Sequence, residues 1–298
     1  MKKQSLKSIL ILGIFYFVFL GAEYFFDNMM AFETDADGVV LAQSYILGSS
    51  VLGFLSYAFL EKYLRGKGRQ IFPAISGIVC ILLLFFIKIH ATYAYTLGSG
   101  LLLFLLLGYF GSGIHYLVAQ TLADNADGEK TNLAKMVGCA YALGIFLQFI
   151  NNNCIASVAE QTLFLSLAVA LMEGIFIQMS RTISRGVDDT DSDQITKAKI
   201  LANEETTSVT DAGTDAWKTG LLLILIVACM TFIFATLDNA VTLVHAGGSV
   251  DIGQWPRLLL AASGLAAGFL YDVKKGAYQN IIMYCVMLLS TICVLVIS

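Results

Sequence analysis

Glu23 and Asp27 stand inside the first long apolar run of the chain, four residues apart. On a helix that spacing puts both on one face, one turn from each other. At about 1.5 Å per residue, counted from Ile9, Glu23 lies about 21 Å and Asp27 about 27 Å along the axis. Glu23 is thus past the midplane of a bilayer, and Asp27-Asn28 is near the far edge of the hydrocarbon. A carboxylate turned to lipid costs roughly 2–3 kcal/mol or more. Glu23 is therefore expected to face a bundle interior, towards Gln148 or groups of the fourth helix. The chemistry open to it is proton exchange or the holding of a cationic group. Asp238-Asn239 stands at a similar depth in a later apolar run. For both Asp-Asn pairs, a helix end held by hydrogen bonds is the structural alternative.

Other polar groups sit within apolar runs. His115 and Tyr116 follow Gly108, Gly111 and Gly113 and precede Gln120. The glycines permit close helix contact, while His115 and Tyr116 can line a cavity or relay protons, against a plain packing role. Gln148 is the better cavity candidate of its run, since Asn151, Asn152 and Asn153 read as an outer loop. Glu173, about 12 Å deep at 1.5 Å per residue, reads as an interhelical hydrogen-bonding or protonated acid. Arg257 either meets a solute or snorkels to the interface. The run Asp189-Thr190-Asp191-Ser192-Asp193 suggests a calcium loop, but Gln194 replaces the required glycine and Ile200 the required glutamate. It reads as a solvated acidic segment. The six cysteines stand singly, with neither zinc spacing nor a disulfide framework.

The elements that must position these groups follow from composition. The 298 residues are 57% hydrophobic and 13% charged, with a net charge of −4 and a mean hydropathy of +0.76. A soluble chain carries about a quarter charged residues, so this is an all-α polytopic membrane protein, with the lipid bilayer as a partner. Nothing basic enough for nucleic acid is present. Nine stretches reach the roughly 20 residues a spanning helix needs: 8–30, 39–60, 70–88, 93–121, 132–152, 158–180, 218–245, 255–272 and 279–298. Putting the N-terminus in the cytoplasm leaves only Lys88 and Arg257 of the 18 basic residues off the inner segments. That orientation places a multi-pass protein in the cell membrane.

Sliding the chain by 211 residues lays the last three stretches on the first three. Lys7 falls on Lys218, Asp27-Asn28 on Asp238-Asn239, Gln43 on Gln254, Gly53 on Gly264 and Glu61 on Asp272. Glu23 has no such partner, since Phe234 lies opposite. After the eighth stretch comes Gly268-Phe-Leu-Tyr-Asp272-Val-Lys274-Lys275-Gly276; after the second, Tyr57-Ala-Phe-Leu-Glu61-Lys-Tyr-Leu-Arg65-Gly66. With this repeat and signature the chain resembles the major facilitator superfamily. Its members are two six-helix halves related by a pseudo-two-fold axis along the membrane normal. The first copy departs from the signature, with Tyr57 where glycine is usual.

The resemblance implies a six-helix bundle over 1–180, an acidic cytoplasmic linker over 181–217 and a partial second bundle over 218–298. The chain then ends where three more helices would follow, which suggests a truncated member. The resemblance also implies a gate of Glu61, Arg65, Asp272, Lys274, Lys275 and Lys135. Asp272 would meet the N-terminus of helix 5 near Thr131–Lys135, whereas the partner helix for Glu61 would be missing. The function implied is secondary transport of a small solute by alternating access. Because acids outnumber Arg257 within the spans, a neutral or cationic solute coupled to protons fits better than an anion. The alternative is a non-transporting remnant or membrane sensor derived from a transporter. No HExxH, GxSxG, GxGD or GxxxxGK[ST] motif occurs, so neither an enzyme, a cofactor site nor an ATP-driven pump is expected.

Overall fold

The computed structural model describes residues 3–64, 68–123, 133–155, 157–201, 261–262, 264–266 and 268–269. They form six long helices, α1 (Lys3–Met30), α2 (Ala36–Tyr63), α3 (Gly68–Ile89), α4 (Tyr93–Ala123), α5 (Leu133–Asn153) and α6 (Val158–Leu201), and no strand. Residues 261–262, 264–266 and 268–269 are also helical and are labelled α7. In hydrocarbon a helix satisfies its own backbone, which is why apolar runs of this length take no other form. Five helices hold stretches long and apolar enough to cross a membrane: Leu6–Met30, Ala36–Tyr57, Ile71–Ile89, Tyr93–Thr121 and Val158–Arg181. This is the make-up of a membrane protein. The backbone of α6 continues as helix to Leu201, into the acidic segment.

Short polar connections set the helix ends. Asp35 caps α2, its carboxylate accepting from the Gly38 amide at 3.0 Å. Glu33 in the same connection lies 3.3 Å from Nδ1 of His90, beyond α3, and the His90 ring stacks on Phe32 at 5.0 Å. The acids of this loop thus serve as cap and loop-to-loop tie.

The most extensive helix pairs are α2 with α4 and α1 with α5. In the first, backbones touch. A methyl group on Gly53 would overlap the Leu105 carbonyl oxygen, and one on Gly108 would overlap that of Ser50. Ser49 adds a hydrogen bond from its hydroxyl to the Leu101 carbonyl at 2.7 Å. The core lies around α1 and α4, where Phe17, Phe25, Phe26, Phe104 and Phe110 are fully buried.

These contacts generate a contrast between glycines. Gly108→Ala is expected to force α2 from α4 and destabilise the fold by about 1–3 kcal/mol. Gly48, with nothing near its missing side chain, should gain about 0.5–1 kcal/mol as alanine. Thermal unfolding in detergent reads both, and equal effects would refute the backbone contact.

Candidate functional site

Between residues 11 and 30, the half-buried side chains of α1 are Tyr16, Phe19, Leu20, Glu23, Tyr24, Asp27 and Asn28; all others are buried. They recur at helical spacing and form one stripe. The stripe is covered in part by protein. Leu20, with Tyr141 and Leu265, packs against a buried cluster of Ala142 and Ile145 of α5 and Ala261 of α7. The polar groups of α1 therefore lie on the side from which α7 approaches.

Glu23 accepts a hydrogen bond from Nε2 of Gln43 at 2.9 Å, and Gln43 is 3% exposed. This partner comes from α2, an element the sequence pattern did not single out beside Gln148 and the fourth helix. Its register explains it: α1 and α2 form a hairpin, with Glu23 seven residues before Met30 and Gln43 seven after Ala36. Equal distances from a short turn give equal depth.

Gln148 is buried and donates from Nε2 to the Leu20 carbonyl at 3.0 Å. It is a strut between α1 and α5 rather than an open ligand. Asn151, Asn152 and Asn153 are the last turn of α5, not a loop, and Gln161 of α6 donates to the Asn151 carbonyl at 3.3 Å. Asp27 and Asn28 are half-buried in the last turn of α1. The Glu173 carboxylate lies against Gly77 of α3.

His115 is exposed on α4 and reaches the same face. Its Nε2 lies 3.3 Å from the Tyr16 hydroxyl, and its ring meets Phe15 edge-on at 5.8 Å. Tyr16 in turn packs edge-on against Tyr141 at 5.7 Å. Tyr116, 53% exposed, is 6.1 Å from the Tyr57 ring. The structure thus gathers Tyr16, Glu23, Gln43, His115 and Tyr141 on or beside one face built by α1, α2, α4 and α5. Sequence reasoning missed Tyr16 and Tyr141. The signal for Tyr16 was present: it stands seven residues before Glu23, two turns along the same face.

Where α7 meets α5, small residues set the distance. A methyl group on Gly138 would come within 2.7 Å of the Gly264 carbonyl oxygen and 3.2 Å of the Gly268 Cα. Gly264-Leu-Ala-Ala-Gly268 is the small-xxx-small spacing that lets helices approach in a bilayer. At the Leu133 end of α5, Lys135 Nζ sits 5.3 Å from the centroid of Phe269, a cation–π contact. Asp272 follows three residues later and lies outside the described residues, as do Asp238, Asn239, Arg257, Lys274, Lys275 and Arg65. Glu61 is helical in α2, but its side chain lies outside them too.

No family model, curated protein or solved structure matches the chain.

The Glu23–Gln43 bond yields a stability test. Gln43→Met removes the amide and leaves its shape, so the acid loses a donor at a cost of about 1–3 kcal/mol. Adding Glu23→Met should recover part of that loss, because neither polar group then remains. A neutral Gln43→Met in detergent unfolding would show that the bond contributes nothing.

Proposed function

We propose that the protein is a secondary transporter of a small solute, working by alternating access between a six-helix bundle and a second, pseudo-symmetric bundle in the manner of the major facilitator superfamily. The observation that carries this reading is the stripe on α1. A helix enclosed on its other sides leaves Tyr16, Glu23, Tyr24, Asp27 and Asn28 half-buried on the side approached by α7. Polar groups at membrane depth that are neither fully buried nor turned to lipid line a path for solute or ions. The repeat between the first and last three stretches, with the signature ending at Asp272, supports the superfamily resemblance. The glycine contact of α5 with α7 fits a tight junction about which two bundles could rock.

In this reading Glu23 is the coupling acid. Protonated, it still bonds Gln43 and is electrically neutral; ionised, it can meet a cationic solute. Asp27 and Asn28, with Asp238 and Asn239 as their repeat counterparts, frame the far end of the path, and Arg257 lies near that end. Asp272, with Lys274, Lys275 and Lys135, closes the cytoplasmic end against α5, and Glu61, the counterpart of Asp272 in the sequence repeat, stands with Arg65 in the first copy of the signature. The N-terminus is cytoplasmic, the membrane is the cell membrane, and protons are the coupling ion.

Uptake of labelled solutes into proteoliposomes under an imposed pH gradient tests the reading. Glu23→Gln is expected to lose gradient-driven uptake while keeping solute exchange at equal pH, because glutamine mimics the acid locked in one protonation state. Unchanged gradient dependence would dismiss Glu23 as the proton site. The absence of both uptake and exchange in the unsubstituted chain, across neutral and cationic solutes, would sink the transport reading itself.

A further inference from the structure

His115 is held at both ring nitrogens. Nδ1 lies 2.7 Å from the Gly111 carbonyl oxygen, and Nε2 lies 3.3 Å from the Tyr16 hydroxyl. A carbonyl oxygen only accepts, so Nδ1 carries a hydrogen whether the ring is neutral or charged. In the neutral ring the lone pair is then on Nε2, and Tyr16 donates to it. Protonation can occur only at that lone pair. It turns Nε2 into a donor, and two donors cannot face each other, so the Tyr16 hydroxyl must turn to accept.

We propose that Tyr16 and His115 form a proton-operated donor switch, in which a proton bound at Nε2 of His115 frees the Tyr16 O–H to donate to an acceptor oxygen on a solute lying against α1. The solute half of this inference rests on the transport reading; the switch itself does not. The proton comes from water, sits on Nε2 and returns to water when the ring is neutralised. Tyr16 keeps its own hydrogen throughout and changes only the direction in which it points.

The surroundings suit such a device. Phe15 of α1 meets the imidazole edge-on, and Phe54 of α2 lies 6.1 Å away. Among the described residues, the titratable groups in ring contact around the pair are phenols: Tyr141 of α5 against Tyr16, Tyr116 next along α4, and Tyr57 of α2 facing Tyr116. Among the described residues, no carboxylate or basic side chain is within ion-pair distance of His115. The contacts of the ring among the described residues are thus hydrogen bonds and aromatic packing rather than an ion pair. His115 is exposed and Tyr16 half-buried, so the pair stands at the edge of the core rather than sealed within it.

The test uses the full chain in lipid nanodiscs with isotope-labelled histidine, with His115→Gln identifying the signal. Nuclear magnetic resonance should find the neutral ring protonated at Nδ1 and bare at Nε2, with both nitrogens protonated at lower pH. The Tyr16 part of the tyrosine Raman doublet, isolated by difference with Tyr16→Phe, should shift from donor to acceptor over the same pH interval. That shift should vanish in His115→Gln. A neutral ring carrying its hydrogen on Nε2 overturns the switch, and so does a Tyr16 signal that ignores His115. Neither readout needs a solute, and the ring titration needs no substituted Tyr16. A chain that passes both and moves no solute keeps the switch and loses the transport reading.

Discussion

A polar side chain on a helix in hydrocarbon must find its partner within the protein or beside water, and in this chain that constraint falls on α1. Its neighbours α4, α5 and α6 bury the greater part of its circumference in phenylalanine and aliphatic contact. The remaining stripe is where the acids and phenols stand. Polar residues are thus sorted by face rather than by depth alone. An acid on any other side of α1 would enter the aromatic core, where an uncompensated carboxylate costs several kcal/mol or neutralises itself.

Glycine decides how near the other helices come to that stripe, and so which groups meet. A side chain at Gly111 would push against Phe15 at 2.6 Å and Phe54 at 2.7 Å. Both rings flank His115 one turn further on, and the Gly111 carbonyl is the group that orients the imidazole. The same residue therefore admits the two rings and fixes the tautomer between them. The backbone contact of Gly53 and Gly108 holds α2 close enough to α4 for Phe54 to reach that ring. Packing and site chemistry share these positions, which is why glycines near His115 act on both.

Much of the fold was legible because hydrophobicity over about 20 residues is a sum that single exceptions do not disturb. Six of the expected stretches coincide with α1–α6 to within a few residues at most ends, α6 excepted. There the helical backbone persists into polar sequence whose apolar signal has stopped. The asparagines at 151–153 misled for the opposite reason: they look like loop residues, yet Gln161 and the packing of α5 on α1 keep them in helix. Glu23 was legible as an interior acid because charge in hydrocarbon is rare. Its partner was less so, since Gln43 is found only when the two arms of the α1–α2 hairpin are counted from their turn. Tyr16 and Tyr141 carry no such flag. A tyrosine in an apolar run reads as packing until a partner for its hydroxyl appears on another helix, and that partner is separated from Tyr16 by most of the bundle's sequence.

Gln148 and Glu23 show what separates a strut from a ligand among polar residues of similar rarity. Gln148 is nearly inaccessible and spends its amide on the backbone of α1, joining two parallel helices whose glycines already bring them together. Replacing it alters packing and little else. Glu23 remains half-buried while its partner Gln43 is enclosed, so the carboxylate is anchored from the buried side. The bond to Gln43 fixes the carboxylate's position without enclosing it. The Tyr16–His115 pair repeats the pattern with neutral groups. Gly111 anchors one nitrogen and the Tyr16 hydroxyl meets the other, while the ring itself stays exposed. Tyr16 and Glu23 stand two turns apart on one stripe, each held by a partner from another helix, so the polar contacts of α1 are set by which helices its half-buried face meets.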